Sequence, residues 1–253
     1  MNPEIRIFKD MENLSRNAAK LFIEQSTQAI VESNRFLVAL NGGSTPTRLF
    51  QLLASDFKDK IDWNKTHIFW GDERCVPDND PGSSYGQARE TFLRHVPIPD
   101  SNIHCVDTSL PPAQAAQAYT RTLNQFATHP LEFPRFDLVY LGMGEDGHTA
   151  SLFPGSPVQA TETVIPVTAN YQDRPANRVT MTQLVFNQAH HIAFMATGEK
   201  KAITLAEVLS DRYNPELYPA QRINPKDGKL IWLLDESAAD KLPKKLKAKY
   251  CEG

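Results

Sequence analysis

The chain has 253 residues, of which 41% are hydrophobic and 23% charged, a globular balance with enough apolar material for a large core. Its 30 acidic and 27 basic side chains leave a formal charge of −3, so no net field draws it to nucleic acid or an acidic membrane, and an anionic ligand would need a local basic pocket. Cys75, Cys105 and Cys251 are odd in number and lack paired or metal-ligand spacing, which argues against a disulfide framework or structural zinc.

The opening MNPEIRIFKDMENL carries charges and no apolar leader-like stretch, and no later segment approaches the roughly 18 apolar residues of a membrane span. A reduced, cytoplasmic protein is expected. Leu14, Ala18, Leu21, Phe22, Ala29 and Ile30 then fall on one helical face. Short β-branched or aromatic runs at 35–40 and 66–70 read as buried strands. Turn-rich residues 77–86 and 110–112 precede a second helical face of Ala116, Tyr119, Leu123 and Phe126. Further strands are predicted at 136–141, 191–197 and 230–234, with a turn at 154–157. A helix-like Ser237-Ala238-Ala239 leads into a tail, 241–249, that carries five lysines and reads as a solvated helix face. Alternating strands and helices predict an α/β fold with a mainly parallel sheet covered on both faces. No stretch is long or polar enough for an interdomain linker, so one domain over 1–253 is expected.

Three strand ends carry chemistry. The first strand runs into Asn41-Gly42-Gly43-Ser44-Thr45-Pro46, followed by Leu49, Leu52 and Leu53 at helical spacing. Glycines allow close backbone approach, Ser44 or Thr45 can cap, and free N–H groups at a helix start attract an anion, phosphate above all. Neither the Walker nor the dinucleotide pattern is present. The second strand ends in Gly71-Asp72-Glu73-Arg74, charges placed where open α/β sheets form their crevice.

The third, Gly142-Met143-Gly144-Glu145-Asp146-Gly147-His148-Thr149-Ala150-Ser151, brings a carboxylate and an imidazole to a glycine-rich strand end. Of the seven histidines only His148 has this setting, and histidine is the side chain suited to taking and returning a proton near neutrality. Arg178 and Lys201, each read as lying just before a helical or turn-like segment, add two candidate cations.

Together, the Asn41–Pro46 loop, Gly71-Asp72-Glu73-Arg74 with Val76-Pro77, the string from Gly142 through His148 to Leu152-Phe153-Pro154, Arg178-Val179-Thr180 and the closing Ile231-Trp232, Leu234-Asp235 and Ala238-Ala239 resemble the 6-phosphogluconolactonase family. The resemblance implies a modified Rossmann-like three-layer sandwich and hydrolysis of 6-phospho-D-glucono-1,5-lactone in the oxidative pentose phosphate pathway, with no metal or organic cofactor. By matched motif, Gly42, Gly43, Ser44, Thr45, Arg178 and Lys201 would hold phosphate. Asp72, Arg74, Asp146 and His148 would line the reacting end, with His148 as base and either aspartate orienting it. Asn41 stands where serine is commoner, and Ser84 where asparagine is expected. The partner expected is a small phosphorylated sugar lactone, not nucleic acid or membrane, with the chain a monomer or weak homodimer.

Glucosamine-6-phosphate deaminases share the sheet and the Asp-Gly-His, but follow it with Asn-Glu-Pro where this chain has Leu152-Phe153-Pro154, so ring opening is the weaker expectation. A non-catalytic sugar-phosphate sensor is the rival from another class; against it, no helix-turn-helix segment precedes the domain and His148 and both aspartates are intact.

Overall fold

The computed structural model describes residues 3–247; Cys251 and Lys249 of the tail lie outside the described residues. In chain order the elements begin with β1 (Glu4–Phe8), α1 (Met11–Ser33), β2 (Phe36–Leu40), α2 (Ser44–Ala54), β3 (Thr66–Trp70) and β4 (Asp72–Arg74). Next come α3 (Ser84–Thr91), β5 (Ile103–His104), α4 (Pro112–Asn124), β6 (Leu138–Gly142), β7 (Val164–Thr168) and β8 (Asn177–Met181). The last are α5 (Gln183–Phe186), β9 (His191–Ala196), α6 (Ala202–Val208), β10 (Lys229–Asp235) and α7 (Lys244–Lys247). Seven strands form a parallel sheet in the order β1-β10-β9-β6-β2-β3-β5, and β4-β8-β7 form a small antiparallel sheet. Among the described residues no helix is long and apolar enough to cross a membrane.

Side-chain alternation along each strand builds two cores. In β2, Phe36, Val38 and Leu40 pack with Phe22 of α1 and Leu49 and Leu53 of α2, while Leu37 and Ala39 join Ala116, Tyr119 and Leu123 of α4 on the other face. Helices cover both faces, giving the expected Rossmann-like three-layer α/β sandwich. Ile30 and Phe126 are only partly buried, because one lies in the last turn of α1 and the other beyond α4. Asp10 caps α1 by accepting the Asn13 N–H, and Asn34 closes it at φ 60°.

All five predicted strands are present, residues 66–70 with unchanged bounds. Two expectations are corrected. Ser237-Ala238-Ala239 is a turn, because the Asp235 carboxylate takes the Ala238 N–H at 2.7 Å. Arg178 lies inside β8, not before a helix. The antiparallel sheet gave little sequence signal: β7 contains Pro166 and only Val164 of it is buried, so it lacks the apolar run of a central strand.

Chain direction then locates the ligand crevice. From β2 the chain steps outward through β3 to β5, returns to β6 on the other side of β2, and steps outward again through β9 to β10. Strand order therefore reverses between β2 and β6, and the crevice of an open α/β sheet opens at the carboxyl ends of that pair. Gly42 and Gly43 leave β2 there, and Gly142 and Gly144 leave β6.

At the far edge, His67 Nδ1 and His104 Nε2 lie 3.2 Å apart. Burial, reinforced by His67, pushes the His104 imidazole down to about 4, and burial lowers His67 as well. Both rings therefore stay neutral in the fold where an unfolded histidine, with a pKa of about 6.5, takes up a proton. The contribution of His104 to stability is full above about pH 6.5 and is lost as pH falls toward 4, and that of His67 changes in the same direction. Asp137, raised to about 6 by burial, works in the opposite direction. Urea denaturation of His104→Gln is expected to show a flatter pH dependence than the parent chain between pH 7 and 4.5, by about 1–2 kcal/mol; parallel curves would contradict the assignment.

Candidate active site

At the end of β2, Gly43 adopts φ 115° and is the residue before α2, a conformation that favours glycine. Ser44 is the first helical residue and no side-chain cap forms, so the capping role expected of Ser44 or Thr45 is not seen. Gly42 is required by proximity: a Cβ there would meet the Oγ of Ser84 at 2.3 Å and its Cα at 3.0 Å. The Gln87 amide fixes the loop, accepting the Gly43 N–H at 3.0 Å and donating to Gly43 O at 2.9 Å and Thr47 Oγ1 at 2.8 Å. The Gly43 N–H is thus already used. The N–H groups of Ser44 and Thr45, at the positive end of α2 and without intrahelical acceptors, remain for an anion.

At the end of β6, a tight turn folds back on itself: Gly144 N–H donates to His148 O and Gly147 N–H to Gly144 O. Asp146 Oδ1 accepts the His148 N–H at 3.1 Å and lies 2.6 Å from His148 Nδ1. Burial raises the Asp146 carboxyl, but the hydrogen bond and charge of His148 outweigh it and hold that carboxyl below its ordinary value. A carboxylate accepting from Nδ1 fixes the tautomer that leaves Nε2 able to accept a proton. The imidazole is gripped by Phe153, at 4.5 Å between ring centroids, and by Tyr171 at 4.6 Å. Asp146, not Asp72, therefore orients the ring. Asp72 is buried and accepts Ser151 Oγ–H at 2.7 Å.

Gly144 makes room for this arrangement. A Cβ there would lie 2.1 Å from His148 Nδ1 and 2.6 Å from Asp146 Oδ1. Gly144→Ala is expected to leave the fold intact but to push the imidazole aside, lowering kcat about tenfold or more with little change in affinity for product. An alanine variant with full kcat would show that His148 need not stand where the structure places it.

The antiparallel sheet contributes charge. Arg74 and Arg178 are paired directly across β4 and β8, a like-charge juxtaposition that destabilises a sheet unless an anion offsets it. Arg178 is 2% exposed, donates Nε–H to Pro175 O at 3.1 Å, and keeps Nη2 buried without a partner. Arg74 donates to Gly82 O at 2.7 Å and has its Nε buried without a partner. Burial lowers the pKa of Arg178, partly offset by Asp72, and burial lowers that of Lys201, partly offset by Glu145 and Asp235. Among the described residues, Arg74, Arg178 and Lys201 form no ion pair. Partly desolvated cations that form no ion pair mark a place for an anion from outside.

One cleft takes in Gly42, Gly43, Ser44, Thr45, Asp72, Arg74, His148, Arg178 and Lys201, with Asp146 supporting His148 from beside it; Lys201 faces it, whereas Lys200 does not. Every candidate residue is thus brought to one place. No cluster of three or more metal-ligating side chains occurs among the described residues. The motifs did not reveal Gln87, Tyr171 or Arg174, nor the buried, unpartnered Oδ1 of Asn41. An arginine within a polar turn before Pro175 was the only signal for Arg174.

Residues 9–232 match the model of the family described as glucosamine-6-phosphate isomerases/6-phosphogluconolactonase. A protein from Synechocystis named 6-phosphogluconolactonase is 37% identical over 244 residues, 96% of this chain and 99% of that protein. The crystal structure of a 6-phosphogluconolactonase from Thermotoga maritima superimposes with a TM-score of 0.80 at 31% identity, covering 92% of this chain and 99% of that one. A monomeric glucosamine-6-phosphate deaminase superimposes with a TM-score of 0.81 at 18% identity, covering 94% of this chain and 99% of that one, which shows a shared fold alone. Sheet order, strand-end motifs and these likenesses agree: the chain belongs to the glucosamine-6-phosphate isomerase/6-phosphogluconolactonase family.

Proposed function

We propose that this chain, as one domain, hydrolyses 6-phospho-D-glucono-1,5-lactone to 6-phosphogluconate, with His148 as the general base. The observation that carries the reading is the Asp146–His148 pair in one cleft with cations that form no ion pair among the described residues. The names of the similar proteins support the lactone as substrate, and the cations and the Asp146–His148 pair of the cleft support an anion-binding end and a proton-accepting end.

Water attacks the lactone carbonyl as His148 Nε2 removes its proton. The resulting oxyanion is held by Arg74, because the Gly144 and Gly147 N–H groups are consumed inside their own turn. Collapse breaks the bond to the ring oxygen, which takes the proton back from the imidazolium and leaves as the C5 hydroxyl. The carboxylic acid so formed loses its proton to solvent. Phosphate held by Arg178, Lys201 and the start of α2 supplies orientation and no chemistry. Asp72, tied to Ser151, adds a negative charge that partly offsets the burial of Arg178.

A deaminase reading is weakened by Phe153, whose ring packs on His148 where that chemistry would place a carboxylate. The separating experiment incubates the purified chain with the phosphorylated lactone and with glucosamine 6-phosphate. Rapid opening of the lactone and no ammonia from the amino sugar is expected; ammonia release without lactone hydrolysis would overturn the reading. Because no step is routed through a metal, activity is expected to survive EDTA, and loss restored by one divalent cation would refute that mechanism.

A further inference from the structure

The hairpin joining β7 to β8 supplies Tyr171, Gln172 and Arg174 to the lining of the cleft and has no part in the mechanism above. Ala169 N–H donates to Ala176 O at 3.0 Å and Arg174 N–H to Tyr171 O at 3.1 Å. Between them Gln172 and Asp173 both have positive φ, 48° and 53°, the pattern of a type I′ turn. Asn, Asp and Gly suit such a turn, whereas a glutamine there is disfavoured and must be held by its surroundings.

Two anchors hold it. On one side the Tyr171 hydroxyl accepts the Glu145 N–H at 3.3 Å while its ring packs on His148. On the other, Pro175 lies against Gly82, where a Cβ would come within 2.8 Å of Pro175 Cγ, and Pro175 O accepts Arg178 Nε–H. Between these anchors Gln172 and Arg174 line the cleft. Arg174 is exposed and has no ion pair among the described residues. Burial is the main cause that lowers the pKa of Arg178 and of Lys201, and the charge of Arg174 adds to both, so three cations that form no ion pair among the described residues share one cleft.

We propose that Arg174 is a further phosphate ligand, carried on a pinned hairpin arm and closing the outer side of the site that Arg178 and Lys201 form from below, and that it sets the preference for phosphorylated over unphosphorylated lactone. This rests on the lactonase reading. The arm ties the two ends of the cleft together: Tyr171, which positions the arm, touches the base, while Arg174, three residues on, meets the phosphate.

The test uses Arg174→Gln in the full chain, an exposed position at which folding is not at stake. The KM for 6-phosphogluconolactone is expected to rise about tenfold or more, the worth of a charge-assisted contact, with kcat within about twofold and the KM for δ-gluconolactone unchanged. Calorimetric titration with 6-phosphogluconate and with gluconate reads the same contact without turnover, and only the phosphorylated acid is expected to bind more weakly. An unchanged KM and affinity, or equal weakening for both members of either pair, would overturn the role of Arg174. A parent chain that opens no lactone would instead overturn the lactonase reading, and the titrations would still decide whether Arg174 binds phosphate.

Discussion

Replacing His148 by asparagine is expected to lower kcat by about 10²-fold or more, the range for a lost general base, while the dissociation constant for 6-phosphogluconate changes little. Asparagine can hydrogen-bond Asp146 and fit between Phe153 and Tyr171, but it cannot accept a proton from water near neutrality. The cations that would hold phosphate lie on β8 and before α6, so the anion end is untouched. A substantial residual rate is expected, because a δ-lactone is already activated and the oxyanion contact remains. Steady-state kinetics with product titration check both halves of the expectation. An asparagine variant with near-full kcat would make His148 structural.

The second large effect belongs to Arg178→Lys. The guanidinium is buried, uses Nε on Pro175 O, and has Nη2 free, so one side chain can keep its protein contact and still meet a phosphate. A lysine has one ammonium for both tasks and is more strongly hydrated. The KM for the phosphorylated lactone is expected to rise about 10–100-fold, the worth of a lost charge-assisted hydrogen bond, while hydrolysis of δ-gluconolactone is nearly unaffected. Equal losses on the two substrates, measured side by side with a thermal melt, would show that Arg178 serves the fold and not the phosphate.

The difference between what was and was not legible in the sequence follows from physical range. β3 and β9 were legible because central parallel strands are buried on both faces and read as apolar runs, with glycine or charge where they end. The same burial made the strand-end motifs visible, since chemistry at a sheet end follows its strand within a few residues. The choice between Asp146 and Asp72 was not legible, because it turns on a backbone fold that sets Asp146 Oδ1 2.6 Å from Nδ1 while Ser151 engages Asp72. Gln87, 44 positions from the Gly43 it fixes, and the Tyr171 to Arg174 arm depend on tertiary contacts that no local pattern records. Arg178 was recognised by motif and misplaced by pattern, since β8 buries a cation that a strand reading would put outside.

The most direct test of the central claim, that one cleft joins a phosphate-holding end to a His148-activated water, is kcat/KM of the parent chain for 6-phosphogluconolactone relative to δ-gluconolactone under one set of conditions. Phosphate binding by buried or helix-end groups is expected to favour the phosphorylated substrate by about 10²-fold or more, on top of a rate well above spontaneous opening. A ratio near one, or no hydrolysis beyond the spontaneous rate, would contradict it.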